Sequence, residues 1–135
     1  MRIILNGKNH KGEILSNTKI ILPRRGEIWL VDFEPTVGAE IRKERPAIVV
    51  SSDDIGKLPI KLVAPITSWK PDYFSNMWLV KIIPNDINGL EKISAVDTLQ
   101  LRGVDKNRFI HKIGRLSPNV MEEIVMAIAI VIEYQ

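Results

Sequence analysis

Apolar and polar residues alternate in short runs along most of this chain, and a helical repeat emerges only at its end. Residues 26–33 (GEIWLVDF) set Ile28, Leu30 and Asp32 against Trp29, Val31 and Phe33. A run apolar on nearly both sides predicts a strand in the middle of a sheet. Residues 47–51 (AIVVS), 61–67 (KLVAPIT), 78–83 (WLVKII) and 94–101 (SAVDTLQL) have similar length and β-branched content, and predict further strands. Pro46 falls at a strand start, where a missing N–H is tolerated, whereas Pro65 inside a run predicts an edge or a bulge. Residues 38–45, 52–59, 68–76 and 84–89 read as loops.

After residue 117 the period changes. Val120, Ile124, Ile128 and Val131 recur on one stripe, flanked by Met121, Val125 and Ile132. Ser117 suits the N-cap and Pro118 the first helical position, where its missing N–H costs nothing. Glu122 and Glu123 near that end read as surface carboxylates favoured by the helix dipole. A helix this apolar is expected to pack across a sheet or barrel and to meet a second subunit. Residues 1–22 read as an N-terminal extension, a β-ribbon in which residues 3–5, 12–15 and 19–22 can pair and Asn6-Gly7 offers a tight turn. The main domain is then 23–135. Five or six short strands and one closing helix predict a mainly β fold built on a small, strongly bent sheet or barrel.

Composition narrows the chemistry. At 135 residues, 45% hydrophobic and 26% charged, the chain is long enough for one buried core and does not read as disordered. The absence of cysteine removes disulfide scaffolds, zinc ribbons and thiol nucleophiles. With His10 and His111 as the only histidines, neither a His-rich metal site nor a paired-imidazole mechanism is expected. No apolar run approaches the ~20 residues that span a bilayer. The first 22 residues also lack a signal peptide's apolar stretch, so a cytoplasmic protein is expected. The net charge of +3 lies entirely in residues 1–22, which hold four bases and one acid; residues 23–135 carry 15 of each. A polyanion-binding surface must therefore come from local segregation of charge. Residues 102–115 supply one such place, with five bases against Asp105 alone; residues 40–45 (EIRKER) are denser but mixed in sign.

No GxxxxGK[ST], GxSxG, HExxH or CxxC occurs, and Asp53-Asp54 reads as a cap or Asx-turn rather than a metal ligand pair. Carboxylate, guanidinium and hydroxyl groups remain. They suffice for one reaction class, scission of RNA by its own 2′-hydroxyl, which requires a proton acceptor, positive charge for the phosphorane-like transition state and help for the departing 5′-oxygen. Arginine suits the middle task, because its planar fork meets phosphate oxygens bidentately. The loop at residues 68–78 interleaves aromatics with a base; Trp69 is its stacking candidate, while Trp78 and Phe74 have a competing reading as core. His111 reads as a surface or interface residue.

Residues 23–29 (PRRGEIW) and 33–50 (FEPTVGAEIRKERPAIVV) resemble the opening of the MazF/PemK family of toxin endoribonucleases. Residues 63–68 (VAPITS), 104–108 (VDKNR) and 113–116 (IGRL) match the same family in the same order, so the resemblance spans most of the chain from residue 23. It implies an SH3-like barrel with a C-terminal helix, a homodimer, a single-stranded RNA substrate, a MazE-type antitoxin and no metal or other cofactor. The family's principal catalytic arginine, which precedes proline in the second strand, lands on Arg45; the threonine of its Pro-Ile-Thr-Ser motif lands on Thr67, with Ser68 beside it. The family's loop acid lands on Glu40, as a proton acceptor. Arg42, Lys43, Trp69 and Gln100 fall where RNA contacts are expected. Two departures stand out: Ala39 replaces the usual serine, and Leu99 stands where many members carry an acid. The competing readings are a CcdB-like protein that inhibits gyrase by binding and a silent SH3-like RNA-binding module. Neither requires the Arg45/Thr67 pair.

Overall fold

The computed structural model describes residues 2–3, 20–55 and 58–134. Strands β1 (Arg2–Ile3) and β2 (Ile20–Ile21) form a separate antiparallel pair. The Asn6-Gly7 turn and the 12–15 segment expected of an N-terminal ribbon lie outside the described residues.

The main sheet has seven strands: β3 (Glu27–Asp32), β4 (Glu44–Val49), β5 (Ile60–Ser68), β6 (Leu79–Ile82), β7 (Ser94–Asp97), β8 (Arg102–Asp105) and β9 (Phe109–Arg115). Its order is β6-β7-β5-β4-β3-β9, with β8 branching from β5, and every pairing is antiparallel. The mainly β class with a C-terminal helix is as expected. The sheet stays open rather than closing into a barrel, since β6 and β9 end its path.

The two-sided apolar run of β3 does what it predicted. Ile28 enters a core cluster beneath the helix α1 (Pro118–Val131), together with Ile48, Ile66 and Ile124. Trp29 and Val31 enter a second cluster on the opposite face with Val49, Val63 and Phe109. The face beneath α1 buries aliphatic surface and the other face aliphatic and aromatic surface, each at roughly 25 cal/mol per Å² removed from water, so the central strands are anchored twice.

Pro65 behaves differently from expectation. Strand β5 keeps β4 on one side, while on the other it pairs with β8 over Ile60–Val63 and with β7 over Ile66–Ser68. Pro65 falls in the gap between those two partners. Its missing N–H therefore interrupts neither ladder, and the strand is internal rather than an edge.

The expected 94–101 strand stops at Asp97, because the Asp97 carboxylate accepts the Leu99 N–H (3.1 Å) and the Gln100 Nε2 (3.0 Å) and winds Thr98–Gln100 into a 3-10 turn. Beyond it, the basic stretch at 102–115 is not a free charged face but the strands β8 and β9, joined by a turn at Lys106–Arg108. Much of its charge is used internally. Arg102 donates to the Phe33 carbonyl (3.0 Å) and lies over the Phe33 ring, and Arg108 donates to the Asp32 (3.1 Å) and Glu34 carbonyls. Ser117 caps α1 by accepting the Val120 N–H (3.3 Å), with Pro118 opening the helix as expected. The buried stripe is Met121, Ile124 and Ala127; Val125, Met126, Ile130 and Ile132 stay exposed.

Lys112 pairs with Glu27 at 2.9 Å. Burial pushes the Glu27 carboxyl up, but hydrogen bonds from Lys112, the Arg24 N–H and the Trp29 indole together hold it below the usual carboxylate range. A carboxyl depressed in the folded state stabilises above its unfolded pKa, and the contribution disappears as pH falls through the folded value. In thermal melts, wild type will therefore exceed Glu27→Gln at neutral pH, and the difference will close in acid; a constant gap at all pH values would contradict this account.

Candidate functional site

The outer ends of β4 and β5 and the middle of β9 surround a cavity of about 550 Å³. Arg45, Thr67 and Ser68 line it, with Glu44, Glu91, Lys92, His111 and Lys112. Strand register brings the first two together. The β4–β5 ladder pairs Ala47 with Pro65; continued by two residues, the same register sets Arg45 opposite Thr67. Alternation places Arg45 with Ala47 and Val49, and Thr67 with Val63, so both emerge on one face of the sheet.

Arg45 is exposed, and its Nε donates to the Arg42 carbonyl at 3.3 Å. Among the described residues its two terminal nitrogens have no protein partner, and it pairs with neither Glu40 nor Glu44. Thr67 and Ser68 are half-buried.

The far wall of the cavity is the loop containing Gly89, Leu90, Glu91 and Lys92. Asn88, only 1% exposed, organises it: its Oδ1 accepts the N–H groups of Asn85 and Leu90, and its Nδ2 donates to the Ile83 carbonyl (2.9 Å). The loop is locked onto β9 by the Arg115 N–H, which donates to Ile87 O (3.1 Å), and by backbone contact so close that Gly114 leaves no room for a side chain.

The other predicted residues lie apart from this cavity. Glu40 and Gln100 share a second one of about 240 Å³ with Phe33, Ile41, Leu99 and Arg102. The Glu40 carboxylate accepts the Val37 N–H of its own turn. The Gln100 side chain clamps the same loop, its Oε1 accepting the Ile41 N–H at 2.7 Å. Arg42 and Lys43 line neither cavity. Arg42 reaches the Gly38 carbonyl (3.4 Å); Lys43 has a left-handed φ of 65° and donates its N–H to Glu34 (2.9 Å). Trp69 also lies outside both, set edge-on to Tyr73 with the Lys81 ammonium 5.1 Å above its ring. Trp78 is half-buried, whereas Phe74, at 88% exposed, is not a core residue; its run of neighbours forms a 3-10 turn at Pro71–Ser75 that projects the ring outward.

His111 is the cavity residue that sequence reasoning set aside. Its signal was its place in the run Phe109-Ile110-His111-Lys112-Ile113, which the density of charge disguised as a solvated face. Asp53 is held as a cap, accepting the Arg25 N–H at 2.9 Å and pairing with Arg24. Among the described residues, no group of three His, Cys, Asp or Glu side chains is arranged to hold a metal ion, and no helix is long and apolar enough to cross a membrane.

The chain matches the family model described as PemK-like, MazF-like toxin of type II toxin–antitoxin system over residues 24–132. It is 32% identical over 106 residues to Endoribonuclease MazF9 of Mycobacterium tuberculosis, covering 70% of this chain and 82% of that protein. A crystal structure of MazF from Deinococcus radiodurans aligns with a TM-score of 0.71 at 21% identity, over 84% of this chain and 99% of that one. A MazE-MazF crystal structure from the same organism aligns at 0.66 and 20% identity, over 86% and 100%. The chain therefore belongs to the PemK-like, MazF-like toxins of type II toxin–antitoxin systems, a family of endoribonucleases.

Proposed function

We propose that the protein cuts single-stranded RNA without a metal, by attack of the RNA's own 2′-hydroxyl on the neighbouring phosphorus, leaving a 2′,3′-cyclic phosphate and a 5′-hydroxyl. The observation that carries this reading is the single cavity lined by Arg45, Thr67 and Ser68. Its volume falls in the range of about 300–1,000 Å³ common for ligand sites. Attack places a second negative charge on the phosphorane oxygens. Arg45, with two nitrogens uncommitted, stabilises that charge through a bidentate contact. Thr67 and Ser68 donate hydroxyl hydrogen bonds to the same phosphate.

The second cavity, with Glu40, Gln100 and Leu99, is proposed to read a flanking base, which makes cleavage selective for sequence. Its placement away from Arg45 supports Glu40 as an RNA contact better than as the proton acceptor. Arg42 and Lys43 meet the RNA backbone, and Trp69 and the exposed Phe74 offer rings for stacking, at ~1–3 kcal/mol per base. We place the enzyme in the cytoplasm as a homodimer, which the uncovered apolar strip of α1 supports. A MazE-type antitoxin would silence it by laying an acidic, apolar segment across the RNA site.

The test is incubation of purified protein with mixed-sequence RNA in EDTA, followed by mapping of the ends. Fragments with cyclic phosphate ends and a shared sequence at the cut are expected. Intact RNA with inhibited gyrase would favour the CcdB-like reading, and bound but uncut RNA the silent module.

A further inference from the structure

Attack by a 2′-hydroxyl needs an acceptor for its proton, and the acid expected to serve, Glu40, lies in another cavity with its carboxylate turned to Val37. We infer that His111 is that acceptor, an inference that rests on the function proposed above. His111 lines the same cavity as Arg45 and Thr67. The sheet explains why: on β3, Leu30 has Pro46 on one side and His111 on the other. Neighbouring strands lie ~4.8 Å apart, so His111 and Pro46 stand about 10 Å apart in one row across β3, and Arg45, next to Pro46 but of the opposite parity, joins them as a lining residue of the cavity. A phosphodiester bound in this cavity has both a guanidinium and an imidazole among its lining groups.

The ring is available. His111 is exposed, and its Nδ1 lies 3.4 Å from the Lys112 carbonyl oxygen. A neutral ring with its proton on Nδ1 fits that contact and leaves the Nε2 lone pair open; among the described residues Nε2 has no partner. The charged groups around it are Arg45 and Glu44 from β4, Glu91 and Lys92 from the loop, and Lys112 on its own strand. The Lys112 ammonium is already engaged by Glu27. The step balances as follows. Nε2 takes the 2′-hydroxyl proton while the 2′-oxygen bonds to phosphorus; the bond from phosphorus to the 5′-oxygen breaks, and the 5′-oxygen takes a proton from solvent. The imidazolium then returns its proton to water.

Kinetics of the full-length protein on an RNA carrying the mapped cut site test this. His111→Ala and His111→Gln should lower kcat about a hundredfold, the lower end of what a positioned acid–base group contributes, with KM little changed. Wild type should lose activity towards acid as the imidazole is protonated, and both variants should lack that limb. Free imidazole in the buffer should partly restore His111→Ala, in proportion to its unprotonated fraction. An unaltered acid limb in His111→Gln, failure of imidazole to restore any rate, or a loss confined to KM would overturn the assignment. So would disappearance of the limb in Glu44→Gln or Glu91→Gln instead. Wild-type protein that leaves RNA intact would remove the functional reading and this inference together, whereas active wild type, dead Arg45→Ala and unimpaired His111→Ala would remove this inference alone.

Discussion

Arg45→Ala will cut RNA about two to three orders of magnitude more slowly than wild type while melting at nearly the same temperature. The two halves of that expectation have separate causes. Arg45 is exposed and its one side-chain hydrogen bond among the described residues is to the Arg42 carbonyl at 3.3 Å, so folding loses little when the side chain is cut back. The transition state loses the one guanidinium that lines the cavity among the described residues, whose terminal nitrogens have no partner among them. Arg45→Lys should recover only a small part, because an ammonium supplies charge without the planar fork that spans two phosphate oxygens. Single-turnover cleavage beside a thermal melt decides the matter. An Arg45→Ala protein that retains full rate would show that the cavity is not the site of reaction.

Gly114→Ala will destabilise the fold by about 3 kcal/mol, at the upper end for overpacking, and will also weaken cleavage in the molecules that remain folded. A Cβ at residue 114 would sit 2.4 Å from the Asn88 carbonyl oxygen and 2.6 Å from that of Ile87. Both obstacles are backbone, and both belong to the loop that walls the cavity opposite Arg45, so relief requires the wall to move. Gly103→Ala is the matching control: there the nearest atom is the Ile60 Cγ2 at 3.2 Å, the end of a side chain that can give way. Urea denaturation should show a clear fall in midpoint for the first variant and a small one for the second, with unchanged slopes. Equal midpoints would mean that the loop is not locked to β9 as described.

Much of the scaffold could be read from local pattern. The two-sided apolar run of β3 signalled a strand with a core on each face, and Ser117-Pro118 marked the start of α1, because alternation and capping chemistry act within a few residues. Patterns weakened where the structure spends polar residues on internal bonds. Strands β8 and β9 were hidden because Arg102, Arg108 and Lys112 look like a solvated face, and only the fold reveals the Asp32 and Phe33 carbonyls and the Glu27 carboxylate that they meet. Phe74 erred the other way. Its apolar side chain left core open as a competing reading, yet on the 3-10 turn that carries it the residue is 88% exposed.

By itself, the order of residues determined the mainly β class, the closing helix and the residue types able to cleave RNA, since each depends on neighbours in the chain or on side-chain chemistry alone. Which of those residues meet was decided by tertiary structure. Arg45 from β4 and Thr67 from β5 line one cavity, Glu40 lines a different one, and His111 joins the first from a strand more than sixty positions beyond Arg45. Register between strands distant in sequence is set by which faces can be buried together, and no spacing along one strand records it.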